Sequence, residues 1–410
     1  MRLPCLLSLS LLLAPLLAAD DVGDEAGDSK TAKTPLVQTA DAPVLNSPIV
    51  IKSNVVVEPL AKNNFRIGLR PPPSVEIVFV LDTTASMDGL LDSVRRKIWF
   101  IINEITSAKP TPELKVGFVL FKDKGDEYET KVFDLESELD YVASSTDSFK
   151  AGGGGDVPEH VIKGLDDAVN KIHWGGGDQT YRVIFLAGDA PPHLNYPGEC
   201  DYRAVCKKAV EQHIIINTIR CDDDPQCERF FRQFATLGEG QFFSISSFDA
   251  FQQLRSPVDP ELCDLAEQLQ ATTLAWPDKE ELKNRCETLT KKLAIDIRAD
   301  RACFWAKSAQ AFSPWDFTTD VQEGKVKLEE LPAERWPGTI RSKTLDERKA
   351  WLVDAIAKRV ALKEKIIALE AKRKEWLNKE VGKLKLLGNS FDSSVVKTIK
   401  LQALKYGLKW

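Results

Sequence analysis

The run EIVFVLDTTASM (76–87) decides how this chain is read. After Glu76 come five apolar residues in a row, with none of the in-out alternation of a strand that has one wet face. Such a run suits a strand buried on both sides, and parallel sheets flanked by helices are where those strands occur. The character then changes abruptly to Asp82, three hydroxyls within four residues and Ala85. Further apolar runs follow at KVGFVLF (115–121), RVIFLAG (182–188), IIINTIR (214–220) and GQFFSI (240–245), with a shorter edge strand at TKVFDL (130–135). Between them, LLDSVRRKIWFIINEI (90–105), SELDYVASS (137–145), PEHVIKGLDDAVNKI (158–172), RAVCKKAVEQ (203–212) and PQCERFFRQFATL (225–237) read as helices. This alternation predicts a doubly wound, mostly parallel α/β sheet over residues 75–257.

The rest of the 410 residues divides around that unit. Residues 1–19 carry Arg2, a run of apolar residues and small residues at Ala18 and Ala19, the pattern of a secretory signal peptide. Residues 20–74 read as a flexible linker with a short β-like segment. Residues 258–343 read as a helical region and connector. Residues 344–410 form a basic tail with a long helix over 345–377 and a final helix over 393–406. Positions 345, 352, 359, 366 and 373 (Leu, Leu, Arg, Ile, Arg) and 348, 355, 362, 369 and 376 (Arg, Ala, Leu, Leu, Trp) make a seven-residue stripe. It suits an imperfect coiled-coil seam or an amphipathic helix packed in a bundle.

Charge is polarised along the chain. The net charge is -6, but residues 341–410 hold 18 Lys and Arg against 8 Asp and Glu, a net of +10, which leaves -16 on residues 1–340. An export signal with a basic tail points to acidic proteins, an anionic envelope surface or self-association into a homo-oligomer, and disfavours nucleic acid. Cys200, Cys206, Cys221, Cys227, Cys263, Cys286 and Cys303 follow the signal, and no zinc-type spacing links them. In an exported chain such cysteines pair. Cys206–Cys221 with Cys200–Cys227 is one connectivity, and the local pairs Cys200–Cys206 and Cys221–Cys227 are the other.

Candidate chemistry lies at the carboxyl ends of the strands, where open α/β sheets bind ligands. Asp82, Thr84 and Ser86 follow the first strand, Asp189 follows the strand at 182–188, and AGGGGDVPEH (151–160) brings Asp156 before a helix. Crowded carboxylates repel unless a cation lies between them, and carboxylate plus hydroxyl oxygens suit a hard divalent ion. Other chemistries fit less well. The glycine run lacks the GK[ST] of a phosphate loop, and Ser86 has no GxSxG setting. Glu159 and His193 would be the base in a metal-assisted hydrolase, against plainer roles at a helix start and a loop rim.

LDTTASM (81–87), together with the glycine-rich second loop and the third-loop aspartate, resembles the metal-ion-dependent adhesion site (MIDAS) of von Willebrand factor A domains, in an exported or membrane-associated microbial branch. The resemblance implies Mg2+, or Mn2+ or Ca2+, held by Asp82, Thr84, Ser86 and Asp189, with Asp156 where the family usually has a threonine. It also implies a non-enzymatic module that captures an exposed carboxylate of a partner protein in the periplasm, outside the cell or at the envelope.

Overall fold

The computed structural model describes residues 49–52, 55–60, 64–69, 73–138, 149–155, 157–177, 179–198, 200–245, 254–308, 315–383 and 391–410. The residues read as a signal peptide, those read as a linker up to residue 48, most of the helix read at 137–145 and Asp156 lie outside the described residues.

Six strands form the main sheet: β4 (Ser74–Asp82), β5 (Glu113–Phe121), β6 (Thr130–Glu136), β7 (Thr180–Gly188), β8 (Ile214–Arg220) and β9 (Glu239–Ser244). Their order is β6-β5-β4-β7-β8-β9, with β6 antiparallel and the other pairings parallel. Before them β1 (Ile49–Lys52), β2 (Val55–Leu60) and β3 (Asn64–Leu69) make a separate antiparallel sheet, where the sequence reads as a linker with a short β-like segment.

The apolar run at 77–81 is buried on both sides because β4 is central. Ile77, Phe79 and Leu81 enter one core, and Val78 and Val80 the other. Phe79 stacks between Phe118 and Phe185 of the flanking strands, with ring centroids 5.8 and 5.7 Å apart. Each such ring contributes about 1.5–3 kcal/mol by leaving water, so this row fixes the register of β5, β4 and β7.

Helices α2 (Val161–Asn170), α3 (Tyr202–Glu211) and α4 (Pro225–Leu237) cover the Val78 and Val80 face. Sequence dictates their starts. Asp201 accepts from the Arg203 amide and Asp224 from the Cys227 amide, satisfying donors that a helix N-terminus leaves open. The other face packs on α1 (Leu91–Thr106) and then on helices from the far end of the chain.

The expected disulfides do not form: all seven cysteines of the described residues are free. Cys206 sits in the core on the α2–α4 side, whereas Cys221 belongs to the core on the opposite face, so the sheet separates them. Cys200 is exposed while Cys206 and Cys227 are fully buried, which separates the pairs that involve it. Cys221 and Cys227 border different cores but lie near one another beside Gly188, and both remain free thiols. Burial pushes the Cys206 thiol up to about 12 and raises those of Cys221 and Cys227 further, keeping them protonated and unreactive.

The helical C-terminal region shares the core of the sheet. It comprises α5 (Asp259–Gln270), α6 (Glu280–Thr290), α7 (Ile295–Lys307), α8 (Phe317–Gln322), α9 (Gly338–Arg341), α10 (Leu345–Lys383) and α11 (Phe391–Leu404). Residues of α5, α7, α10 and α11 belong to one cluster with those of β4, β5 and β7. Gln402 of α11 reaches the sheet, exchanging amide hydrogen bonds with Asn217 at 3.1 and 3.0 Å and accepting from the Tyr181 hydroxyl at 2.7 Å.

The seven-residue stripe of α10 faces inward within the same chain. Leu352, Ala355, Leu362, Ile366 and Leu369 are buried against α5, α7 and α8. Two of its three arginines are buried as ion pairs, while the third, Arg348, lies over the Trp336 ring. Arg373 bonds Asp259 at 2.6 Å and Asp300, while Arg359 pairs with Asp316 at 2.8 Å and donates to the Thr272 carbonyl. Asp316 also caps α8 through the Thr318 and Thr319 amides. A buried pair broken from one side strands the other charge, at a cost of about 3–5 kcal/mol. Arg359→Ala should therefore lose about that much stability in a urea titration, while Lys358→Ala on the surface should change it by under about 0.5 kcal/mol. Equal effects would show that the Asp316 pair does not hold the helical region together.

Candidate functional site

Parallel pairing of β4 with β7 sets Leu81 opposite Ala187, so the carboxylates that follow, Asp82 and Asp189, leave the sheet side by side. Both are buried, Asp82 completely. Residues 85–87 form a single 3-10 turn that folds the first loop back over the strand end. Thr84 donates to Asp82 Oδ1 twice, from its amide at 2.9 Å and its hydroxyl at 2.7 Å. The Thr84 and Ser86 hydroxyls are 3.1 Å apart, and Ser86 in turn bonds Asp189. Asp82, Thr84, Ser86 and Asp189 thus form one connected set of oxygens. Asp156 falls outside the described residues, so its position relative to them is open.

One oxygen of each carboxylate, Asp82 Oδ2 and Asp189 Oδ1, is buried with no hydrogen-bond partner. Burial and the mutual repulsion of the two carboxylates raise Asp82 to about 7, and burial raises Asp189 as well. Thr84 opposes the rise at Asp82 through its two hydrogen bonds, and Lys122 through its charge.

The second loop is fastened to the first by backbone. The Ala85 amide donates to the Gly153 carbonyl at 3.1 Å and the Gly152 amide to the Thr83 carbonyl at 3.1 Å. Gly153 and Gly154 have φ of 78 and 76°, a region that favours glycine. A Cβ on Gly153 would strike the Asp126 carboxylate at 2.4 Å, and one on Gly154 would press on Glu159 Oε1 at 3.0 Å and Thr84 at 3.2 Å. The glycine run is therefore required for close packing between loops. Lys122, at the end of β5, is buried and donates to both loops, at 2.9 Å to the Thr83 carbonyl and to that of Gly152.

Two further acids and a glutamate complete this edge. The segment after β5, KDKGDE (122–127), supplies Asp123 and Asp126. Asp126 Oδ2 accepts from the Asp123 and Gly154 amides at 3.1 and 2.8 Å, and Asp123 accepts the Tyr196 hydroxyl at 2.8 Å. Glu159 is the more consequential. It is 3% exposed, its Oε2 has no hydrogen-bond partner, and burial together with Asp82, Asp123, Asp126 and Asp189 raises it to about 9. The helix expected to include Glu159 starts only at Val161, and this side chain turns instead toward Thr84 and the glycine loop. The signal for Asp123 and Asp126 was available, because β5 ends at the same edge as β4 and β7. His193 serves the rim: its amide donates to the Glu159 carbonyl at 3.0 Å and its ring lies 4.2 Å from that of Tyr196.

The donor set fits a hard divalent cation in one specific respect. The Thr84 and Ser86 hydroxyls, 3.1 Å apart, each bond one of the two carboxylates, and each carboxylate keeps one buried oxygen without a hydrogen to accept, which a cation would satisfy. Among the described residues no group of three or more His, Cys, Asp or Glu side chains is arranged to hold a metal ion.

Residues 76–254 match the family model of the von Willebrand factor A domain. A stretch of 129 residues is 26% identical to the alpha-protein kinase vwkA of Dictyostelium discoideum, covering 31% of this chain and 20% of that protein. The chain thus spans about a fifth of the length of this curated relative. Similar solved structures include proximal thread matrix protein 1 from the mussel byssus with a zinc-occupied MIDAS motif (15% identity, TM-score 0.34, 42% of each chain). The pilus adhesin SpaC from Lactobacillus rhamnosus GG is also similar (15% identity, TM-score 0.35, 50% of this chain and 33% of that one). So is the SpRpn10 VWA domain (14% identity, TM-score 0.32, 43% of this chain and 88% of that one). The family match and the strand order agree that residues 76–254 carry the von Willebrand factor A domain fold.

Proposed function

We propose that this chain is an exported, non-enzymatic protein-binding module of the microbial kind its loop sequences resemble, and that it captures an acidic group of a partner at the carboxyl edge of the sheet. The observation that carries the reading is the pair Asp82 and Asp189, buried side by side with one unsatisfied oxygen each. Asp82, Thr84, Ser86 and Asp189 would hold a Mg2+-type ion, with Asp156 as a further ligand on the second loop. Bound there, the ion would supply the positive charge that an incoming carboxylate needs at an edge otherwise rich in acids. The protein's own residues do the rest. Thr84 orients Asp82, Lys122 ties the first two loops together, and Gly153 and Gly154 let the loops close without a side chain between them.

Isothermal titration with Mg2+ and with Mn2+ should give binding heat for the wild-type chain and none for Asp82→Ala. Indistinguishable heats would remove the ion from this edge.

A pH dependence follows from the same burial. Asp82 and Glu159 hold protons up to about 7 and about 9 in the folded, metal-free chain, against ordinary values of 3.8 and 4.5. Between these values the folded state binds more protons than the unfolded one, so these two groups cost stability as pH rises. In EDTA, Glu159→Gln should therefore gain thermal midpoint relative to wild type between about pH 5 and about pH 8. Added Mg2+ should raise the wild-type midpoint more at about pH 8 than at about pH 5. A variant that loses ground with rising pH would mean that Glu159 is ionised and stabilised in the fold.

A further inference from the structure

A groove of about 450 Å³ opens between α2, the start of α3 and α4, next to the carboxyl edge of the sheet. Tyr196 stands between the two. It lines the groove, and its hydroxyl bonds both oxygens of Asp123 at 2.8 and 2.9 Å. Tyr202 and Phe230 supply aromatic surface, with Arg203 over the Tyr202 ring at 4.5 Å and Arg229 over that of Phe230 at 5.9 Å. Both arginines are exposed. A guanidinium laid on a ring keeps its N–H edge for a planar oxyanion.

We propose that this groove binds an acidic peptide segment of a partner protein through Arg203, Arg229 and Gln233. The arginines of this face divide into two kinds. Arg220 and Arg232 are both matched by Glu228, at 2.7 Å each. Arg203 reaches Asp201 at 3.5 Å, and that same carboxylate oxygen already caps α3 by accepting the Arg203 amide at 3.0 Å. Among the described residues Arg229 meets no carboxylate. Gln233 accepts the Tyr202 hydroxyl through Oε1 at 2.8 Å, which leaves its Nε2 hydrogens to donate. The groove therefore offers donors and two poorly compensated positive charges, in the part of the chain whose net charge is -16. Such a donor set selects oxyanions, and guanidinium groups take carboxylates in plane through two parallel bonds. Leu194, 60% exposed, and half-buried Phe230 add apolar surface beside the charges. A peptide with apolar residues next to its acids would cover that surface, whereas free phosphate would leave it bare. A groove between helices admits a chain that can enter it, not a flat bilayer. The groove does not rest on an ion at Asp82. A partner held at both places would gain from their proximity.

Fluorescence anisotropy of a fluorescein-labelled peptide of sequence GELEELG, in EDTA, should rise saturably with the concentration of the full chain. Arg203→Ala and Arg229→Ala should each weaken this binding about 5-fold. Gln233→Glu keeps an acceptor for Tyr202 but sets a carboxylate in the groove, and should weaken it at least about 10-fold. Arg232→Ala removes the same charge from a residue already paired with Glu228 and should change it by under about 2-fold. Thermal melts of Arg203→Ala and Arg229→Ala should match wild type, because both side chains are exposed. Asp82→Ala should bind the peptide as wild type does, so that failure of the groove and failure of the ion site are told apart. Absence of saturable binding would overturn the proposal, as would an equal loss in Arg232→Ala. So would a loss in Asp82→Ala that the arginine variants do not share, or binding to phosphatidylserine vesicles, in place of the peptide, that Arg203→Ala and Arg229→Ala abolish.

Discussion

Register in the parallel sheet is the constraint on which the site depends. Phe79 is locked between Phe118 and Phe185, and this row holds β4, β5 and β7 level with one another. A slip of one residue would turn each buried side chain of β4 to the other face and carry Asp82 away from Asp189. Three strands ending level explain why loops distant in sequence meet: residues 82–86, 122–126 and 189 all follow strand ends at one edge. Aromatic packing in the core thus sets the placement of two buried carboxylates at the sheet's edge.

Those carboxylates sit where water cannot reach them. At a wet edge, Asp82, Asp189 and Glu159 would be ionised and screened. Buried together, they take up protons instead, because desolvation and mutual repulsion both penalise the charged form. The fold tolerates this because Thr84, Ser86 and Lys122 satisfy part of the edge. The remaining oxygens stay unsatisfied, a cost that a packed interior would ordinarily have eliminated. Hydrophobic replacements at 82 and 189 would remove it, so the pair costs the fold stability rather than contributing to it.

How much of this the sequence disclosed depended on the range of the interactions involved. β4 was legible from 77–81 alone, because burial on both faces abolishes alternation, and α4 was read with the bounds it has, between Asp224 and Gly238. Asp82, Thr84, Ser86 and Asp189 were legible as a group because each lies just beyond a strand end. Asp123 and Asp126 obey the same rule after β5. The direction of the Glu159 side chain was not legible, since it is set by the space left beside Gly154 rather than by its own neighbours. Cysteine pairing failed for a related reason. Spacing and export suggest bridges, but they do not say which face of the sheet each thiol enters, and Cys206 and Cys221 enter opposite ones.

The long helix shows the same limit and a way past it. Its seven-residue pattern is real, but Arg359 and Arg373 within it are not interruptions of a seam awaiting another chain. They are met by Asp316, Asp259 and Asp300 from the preceding helices, acids too far away in sequence to be matched by eye. With that stripe satisfied internally, the apolar residues one position further along, Val353, Val360 and Ile367, lie on the exposed side of the helix. The tail is therefore anchored through one face of its long helix, by apolar residues and two buried arginines together.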